Sequence, residues 1–130
     1  MVGLLLYRTG LFFYALAARL AALFNNKVRK WLHGQRQVWQ QLVNLSEQAT
    51  GQQVLWFHCA SVGEYEQGRP LMAAIKQQFP RYRILVSFFS PSGYEAIRPD
   101  EVVDYKIYLP LDSASHARRF IGAVRPQAAF

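Results

Sequence analysis

Several common features of proteins are scarce or missing in this chain. It holds one cysteine, Cys59, in 130 residues, which excludes an intramolecular disulfide and a multi-cysteine metal site. Charged residues make up only 18%, against about a quarter in typical soluble proteins. The sequence has no glycine-rich dinucleotide fingerprint, no P-loop and no metal-ligand spacing, so we expect no metal and no cofactor. With 52% hydrophobic residues, the chain is not intrinsically disordered.

Acidic residues are absent from the first 46 positions, which makes the charge distribution uneven. Residues 1–46 contain six basic residues and no acid, whereas residues 47–130 contain nine basic and eight acidic residues. The net charge of +7 therefore belongs almost entirely to the N-terminal third. This asymmetry favours an anionic partner. The basic cluster is short and matches no nucleic-acid-binding module, so we expect anionic membrane lipids and no nucleic acid.

Residues 4–24 form a long apolar segment that the spacing predicts to be helical. A helix of this length measures about 31 Å, close to the roughly 30 Å of a bilayer's hydrocarbon core. Arg8 and Arg19 are eleven residues apart and fall within about 20° of each other around the axis, leaving a wide apolar face. The helix is expected either to span the bilayer or to lie in its interface, and packing on its own domain is the alternative.

The residues that follow support a membrane anchor over residues 1–31. Lys27, Arg29 and Lys30 come directly after the apolar segment, and Trp31 is a typical interfacial residue. No basic region precedes the segment and basic residues follow it, so a secretory signal peptide is a poor interpretation. Basic residues on this side favour the cytoplasmic face of the membrane.

The rest of the chain changes from one helical pattern to an alternation of strands and helices. Residues 32–52 are predicted to contain an amphipathic helix and a connector. Short apolar runs then predict strands at 54–59, 83–89 and 105–109 and another from Gln127. Helical spacing predicts helices at 64–79, from about Tyr94, and at 113–124. Their inward faces are expected to carry Leu71, Met72, Ile75 and Phe79, and Ala117, Phe120, Ile121 and Val124.

Strands that alternate with helices predict βαβ units with right-handed crossovers, and so an α/β fold with a Rossmann-like parallel sheet over residues 53–130. The chain ends about four residues into the fourth strand. A sheet that ends there is incomplete, so we expect an N-terminal piece of a longer protein.

Two loops follow predicted strands at the edge of the sheet where ligands bind in such folds. Residues 58–66 include Ser61, Gly63 and Glu64, and residues 89–95 include Ser90, Ser92 and Gly93. Hydroxyls, a glycine and free backbone N–H groups at a helix start suit an anion or a sugar. Both loops also match the capping box, with Ser61 paired to Glu64 and Ser92 to Glu95, and the spacing alone favours capping over catalysis for these glutamates.

Four other residues of possible chemical interest have ordinary explanations. His58 ends a buried strand, where it is either a hydrogen-bonded structural residue or a base. Cys59 lacks a basic neighbour in sequence, which predicts a buried, unreactive thiol. His33 and His116 lie among basic residues and are expected on solvated surfaces.

The string from Trp56 to Glu64, W-F-H-C-A-S-V-G-E, resembles the signature of the 3-deoxy-D-manno-octulosonic acid (Kdo) transferases of lipopolysaccharide synthesis. Further segments resemble the same family in order: residues 6–8, 70–75, 90–95, 108–112, 117–120 and 125–126. The resemblance covers essentially the whole chain.

This resemblance implies the N-terminal half of a GT-B glycosyltransferase, a fold of two Rossmann-like halves. The family transfers Kdo from CMP-Kdo to a lipid A precursor at the cytoplasmic face of the inner membrane, without a metal for chemistry. Glu64 matches the family's catalytic base, and Ser61, Gly63, Ser90, Ser92 and Gly93 would shape the acceptor cleft. The donor-binding half lies beyond this chain, so the 130 residues alone are expected to be inactive.

Two competing functions remain open. One is another GT-B enzyme with a lipid-linked acceptor, similar to a lipid A disaccharide synthase. The other is a non-catalytic, membrane-associated binding module in which Ser61, Ser92 and Glu64 serve only as caps.

Overall fold

A computed structural model describes residues 2–130 and divides them into two compact units, with the boundary between Gly34 and Gln35. In chain order the helices and strands are α1 (Val2–Ala21), α2 (Asn26–Gln48), β1 (Gln53–Cys59), α3 (Val62–Gln78), β2 (Tyr82–Phe88), α4 (Pro91–Ala96), β3 (Tyr105–Tyr108), α5 (Ala114–Val124) and β4 (Ala128–Ala129).

The N-terminal unit contains α1 and the start of α2. Asn25 caps α2, because its Oδ1 accepts hydrogen bonds from the Lys27 N–H at 2.9 Å and the Val28 N–H at 3.5 Å. The basic block of residues 27–31 therefore lies within a helix and not in an irregular flank. Trp31 is buried, and its ring meets that of Tyr14 edge-on with centroids 6.1 Å apart.

The expected apolar helix at residues 4–24 is present as α1, which ends at Ala21 before a turn. It leaves a wide apolar surface exposed, formed by Leu4, Leu6, Tyr7, Phe12, Phe13, Tyr14, Leu16 and Leu20, with Leu23 and Phe24 after it. Within residues 2–130, no helix combines the length and apolar character needed to cross a bilayer.

The C-terminal unit is an α/β layer structure around a parallel four-stranded sheet of order β3-β2-β1-β4, which confirms the predicted parallel α/β class. One face of the sheet packs against α3 and residues 97–103, with a core of Leu55, Phe57, Met72, Ile84, Val86 and Phe88. The other face packs against α2 and α5, with a core of Val38, Leu42, Leu85, Ile107, Phe120 and Val124. The chain moves outward from β1 to β3 and then returns to the opposite side of β1.

The predicted strands and helices are present, but the prediction of which residues face the core is partly wrong for two helices. In α3 the buried residues are Tyr65 and Met72, whereas Leu71 and Phe79 are 51% and 48% exposed. In α5, Phe120 and Val124 are buried, while Ile121 is 44% exposed and Ala117 is also exposed. Each helix touches the sheet through a stripe narrower than its apolar surface, so the outermost apolar residues remain in solvent.

The helix expected from about Tyr94 begins earlier, at Pro91. Proline fits the first helical position because its fixed φ is already helical and its missing N–H needs no partner there. Ser90 is the N-cap.

Candidate active site at the carboxyl edge of the sheet

The two predicted loops leave the sheet side by side. In the parallel pairing of β1 with β2, the last residues, Cys59 and Phe88, are register partners. Neighbouring strands lie about 4.8 Å apart, so the two loops start at adjacent points on the carboxyl edge. The strand order reverses between β1 and β4, and this reversal is where open α/β sheets form their ligand crevice.

The first loop holds a capping box in which Glu64 has a defined position. Ser61 is the N-cap of α3, and its Oγ accepts the Glu64 N–H at 3.3 Å. The Glu64 Oε2 in turn accepts the Ala60 N–H at 2.6 Å. A usual capping box returns to the N–H of the N-cap itself, and here the carboxylate reaches one residue further back. The Glu64 side chain is thus held over the end of β1 while it remains exposed.

The prediction that Ser61 and Glu64 form a cap is therefore confirmed. The cap leaves the carboxylate of Glu64 exposed. Glu64 makes no ion pair and has no second hydrogen bond within residues 2–130, so Oε1 is open to a ligand. Gly63 lies in the same exposed first turn, and a Cβ there would meet only the Ser61 Oγ, at 3.8 Å.

Cys59 is buried directly before this loop, as the sequence predicts. Burial and the nearby negative charge of Glu64 raise the pKa of the Cys59 thiol to about 11. The thiol is therefore protonated at neutral pH, and only a thiolate is a good nucleophile.

Contacts of Tyr65 and Arg69 hold the first turns of α3 in place. Tyr65 is buried, and Arg69 donates to its hydroxyl at 3.2 Å. Arg69 also forms an ion pair with Asp100 at 2.9 Å. This contact ties the turn that carries Glu64 to the segment before β3.

The second loop is capped by Ser90 and not by Ser92, which corrects the predicted capping box. The Ser90 Oγ accepts the Gly93 N–H at 3.1 Å, and Ser92 is exposed. Gly93 is buried, and a Cβ at this position would lie 2.6 Å from Cδ1 of Phe88. Gly93 is therefore required by packing, since it lets the loop approach the end of β2.

Lys106, Tyr94 and Tyr108 form a cluster that holds the second loop. The sequence did not predict this cluster. The Lys106 Nζ donates to the carbonyl oxygens of Tyr94 and Ile97, both at 2.7 Å, and lies 4.2 Å from the Tyr94 ring centroid. The Tyr94 ring stacks on Tyr108 at 4.1 Å. Burial lowers the pKa of Lys106 and raises that of Tyr108 to about 12.

A third strand-to-helix junction lies at the same edge, where β3 leads into α5. Ser113 caps α5 by accepting the His116 N–H at 3.1 Å. His116 was expected on a solvated surface, but it is half-buried, and its Nδ1 lies 2.8 Å from the Leu111 carbonyl oxygen. Gln35 holds this loop by donating to the Leu109 carbonyl at 2.8 Å and accepting the Leu111 N–H at 3.1 Å.

An apolar hollow of about 270 Å³ lies beside this junction. Its lining comes from β1, the loop after β3 and one side of α5, namely Trp56, Leu109, Pro110, Leu111, Asp112, Ala117, Phe120 and Ile121. Ala117 and Ile121, which are exposed, form part of its wall.

His58, the last polar residue of β1, is half-buried and hydrogen-bonded. Its Nδ1 lies 3.0 Å from the Oγ of Ser87 on β2, and the Trp56 Nε1 donates to the same Oγ at 2.8 Å. Ser87 is fully buried. Sequence reasoning did not single out Ser87, because one serine in an apolar run carries no motif.

No group of three or more histidine, cysteine, aspartate or glutamate side chains suited to a metal ion occurs in the part of the chain that the structure describes. The carboxyl edge presents the exposed carboxylate of Glu64 and the exposed hydroxyls of Ser61 and Ser92. This set can accept a proton from a hydroxyl and bind polar oxygens.

Residues 18–130 match the family model of the 3-deoxy-D-manno-octulosonic-acid transferases, also called kdotransferases. The chain belongs to this family. The W-F-H-C-A-S-V-G-E string that resembled the family's signature forms most of β1 and the start of α3.

Three curated proteins named 3-deoxy-D-manno-octulosonic acid transferase are similar to the chain. The Haemophilus influenzae protein is 37% identical over 78 residues, which is 58% of this chain and 18% of that protein. The Aquifex aeolicus protein is 33% identical over 75 residues, 57% of this chain and 20% of that protein. The Chlamydia muridarum protein is 34% identical over 76 residues, 57% of this chain and 18% of that protein.

The chain aligns with about one fifth of the length of these relatives. No solved structure gives a significant match.

Proposed function

We propose that this chain forms the acceptor-binding, N-terminal part of a GT-B glycosyltransferase that transfers Kdo from CMP-Kdo to a lipid A precursor. The observation that carries the proposal is the exposed Glu64 carboxylate, held by the Ala60 N–H at the carboxyl edge beside the strand-order reversal. Family membership and three relatives named as Kdo transferases support the sugar that is transferred.

Glu64 serves as the general base in this proposal. The carboxylate removes the proton of an acceptor hydroxyl while that oxygen forms a bond to the anomeric carbon of Kdo. The bond from this carbon to the CMP phosphate breaks, and CMP leaves with the electron pair. The open Oε1 takes the proton, and Oε2 keeps its hydrogen bond to the Ala60 N–H. Positioned bases of this kind contribute about 10²–10⁴-fold to a rate.

The other proposed site residues divide into two roles. Ser61 and Ser90 use their hydroxyls as caps, and Gly93 supports the packing of the second loop, so these three shape the cleft. Ser92 is exposed, and its hydroxyl is available to the acceptor. Gly63 leaves space beside Glu64.

The donor and acceptor are tested with the full-length protein and defined substrates. With a lipid A precursor as acceptor, CMP-Kdo is expected to give a product whose mass increases by Kdo, and a UDP-activated sugar is expected to give none. Transfer from the UDP sugar, with none from CMP-Kdo, would favour the other GT-B class and contradict the proposal. No transfer from either donor would favour the non-catalytic module.

We further propose that α1 lies in the interface of the inner membrane at its cytoplasmic face, with anionic lipids as partners. The exposed apolar surface of α1 suits the acyl boundary, and Lys27, Arg29 and Lys30 follow it within α2. Each basic residue near an anionic leaflet contributes about 1 kcal/mol.

Vesicle flotation tests this arrangement. The triple variant K27Q/R29Q/K30Q is expected to bind vesicles containing phosphatidylglycerol at least about tenfold more weakly than the unmodified protein, because three charge contacts are lost. The matched control, R81Q/R98Q, removes exposed charges of the C-terminal unit and is expected to bind normally. Equal loss in both variants, or none in the triple variant, would contradict the proposed contact.

A further inference from the structure

The hydrogen bonds around Ser87 determine which nitrogen of His58 carries a proton. The indole of Trp56 can only donate, and it donates to the Ser87 Oγ at 2.8 Å. The Ser87 hydroxyl has one proton to give, and its side chain is fully buried. Buried hydroxyls are paired in native structures. Within residues 2–130, the acceptor in reach of this proton is the His58 Nδ1, at 3.0 Å.

The neutral His58 ring therefore accepts at Nδ1 and carries its proton on Nε2. Ser87 and His58 are register partners on β2 and β1, so the sheet itself fixes this pair. In the described part of the chain, Nε2 has no hydrogen-bond partner and is not among the fully buried unpaired atoms, so it is at least partly accessible. A neutral ring in this form has a donor to offer at Nε2 and no lone pair there with which to act as a base.

His58 lies near the end of β1, next to the loop that carries Glu64. It precedes Ala60, whose N–H holds Glu64, by two residues. Its own backbone N–H donates to the Phe130 carbonyl, on the β4 side, at 3.0 Å. His58 thus sits at the carboxyl end of β1 beside the strand-order reversal.

We propose that His58 binds an oxygen of the sugar substrate, a hydroxyl or a carboxylate oxygen, as an Nε2–H donor, and that Ser87 is the positioning residue that holds this tautomer. The inference rests on the proposed transferase function for the identity of the ligand. The tautomer itself does not depend on that function.

His116 serves as an internal reference, because its hydrogen bond favours the other tautomer. Its Nδ1 lies 2.8 Å from the Leu111 carbonyl oxygen, which can only accept, so the His116 proton is on Nδ1. Long-range ¹H–¹⁵N correlation spectra of histidine-labelled full-length protein, at pH about 8.5 where imidazoles are neutral, distinguish the two forms. The signals that disappear in H58Q belong to His58, and those that disappear in H116Q belong to His116. We expect Nε2–H for His58 and Nδ1–H for His116, and Nδ1–H for His58 would overturn the proposal.

Two substitutions separate binding from structure in the full-length enzyme. Glutamine places its amide N–H near the position of Nε2, whereas asparagine retains a group near Nδ1 for Ser87 and lacks the distal donor. We expect H58Q to keep its KM values within about threefold, and H58N to raise one KM about tenfold with a small effect on kcat, because one hydrogen bond to substrate is lost. Titrating the two substrates separately shows whether the oxygen belongs to the donor or to the acceptor.

Other outcomes overturn the assignment. Retained KM values in H58N with losses only in H58Q would mean that His58 merely supports Ser87. Loss of kcat in both folded variants with a changed pH profile would mean that His58 is a base. If H58N does not fold, substrate titration of the labelled protein decides, because an Nε2–H signal that does not shift would overturn the proposal. The histidine spectra are recorded without substrate, so the tautomer of His58 is determined even if the proposed transferase function fails, and the two failures are distinguishable.

Discussion

Glu64 combines two roles that sequence patterns treat as alternatives. Its backbone N–H and its carboxylate complete a capping box with Ser61 and Ala60, yet the side chain remains exposed at the edge where ligands bind. The cap fixes the direction of the carboxylate and leaves Oε1 open. A structural explanation for Glu64 therefore does not compete with the proposed chemical one.

Gly93 and Gly63 differ in how much space a side chain would have, and unfolding measurements can show this difference. At Gly93 a Cβ would meet Phe88 Cδ1 at 2.6 Å, whereas at Gly63 the nearest atom is 3.8 Å away. We expect G93A to lower the free energy of unfolding by about 1–3 kcal/mol through overpacking. G63A, in an open helical turn, is the matched control and is expected to be neutral or stabilising by up to about 1 kcal/mol. Denaturant unfolding measures both, and equal effects would contradict the packing role of Gly93.

Most residues of the candidate site could be predicted from sequence, but their contacts could not. The serine, glycine and glutamate pattern after an apolar run identified both loops. It did not show that Ser90 and not Ser92 caps α4, because both precede a helix start and only the backbone path to Gly93 decides. Ser87 was missed since its role depends on Trp56 and His58, which join it only through the sheet register.

At the scale of helices and strands, alternating apolar runs sufficed for β1, β2 and β3, whose predicted positions agree with the structure to within one residue. Helix faces were less predictable. Leu71, Phe79 and Ile121 have helical spacing that suits burial, yet they are exposed because α3 and α5 contact the sheet through fewer positions. The start of α2 at Asn26 depends on the cap formed by Asn25. The sequence pattern assigns the basic residues that follow to a membrane contact and does not predict this cap.

Helix α4 has six residues, and Lys106 donates hydrogen bonds to the carbonyl oxygens of Tyr94 within it and of Ile97 after it. Replacing Lys106 with methionine keeps the apolar stem and removes two hydrogen bonds to carbonyls and the contact with the Tyr94 ring. We expect K106M to lower the free energy of unfolding by about 1–2 kcal/mol and to increase hydrogen exchange at Gly93 and Tyr94. The control R98Q, at an exposed position on the same segment, is expected to change stability by less than about 0.5 kcal/mol. Unchanged exchange in K106M would show that Lys106 does not hold α4.

At the scale of the whole molecule, the strand order β3-β2-β1-β4 makes the candidate site possible. Right-handed crossovers place α3 on one face of the sheet and α5 on the other, so the helices diverge on either side of β1 at its carboxyl end. The loop from β1 to α3 opens at this divergence and carries Glu64.

The most direct measurement is the rate of Kdo transfer by the full-length protein carrying E64Q, with E66Q as the matched control on an exposed position of the same helix. Glutamine retains an oxygen for the Ala60 N–H, so E64Q is expected to fold normally while the rate falls about 10²–10⁴-fold through loss of the proton acceptor. E66Q is expected to retain nearly the full rate. Transfer by folded E64Q at a rate close to that of the unmodified protein would contradict the assignment of Glu64 as the base.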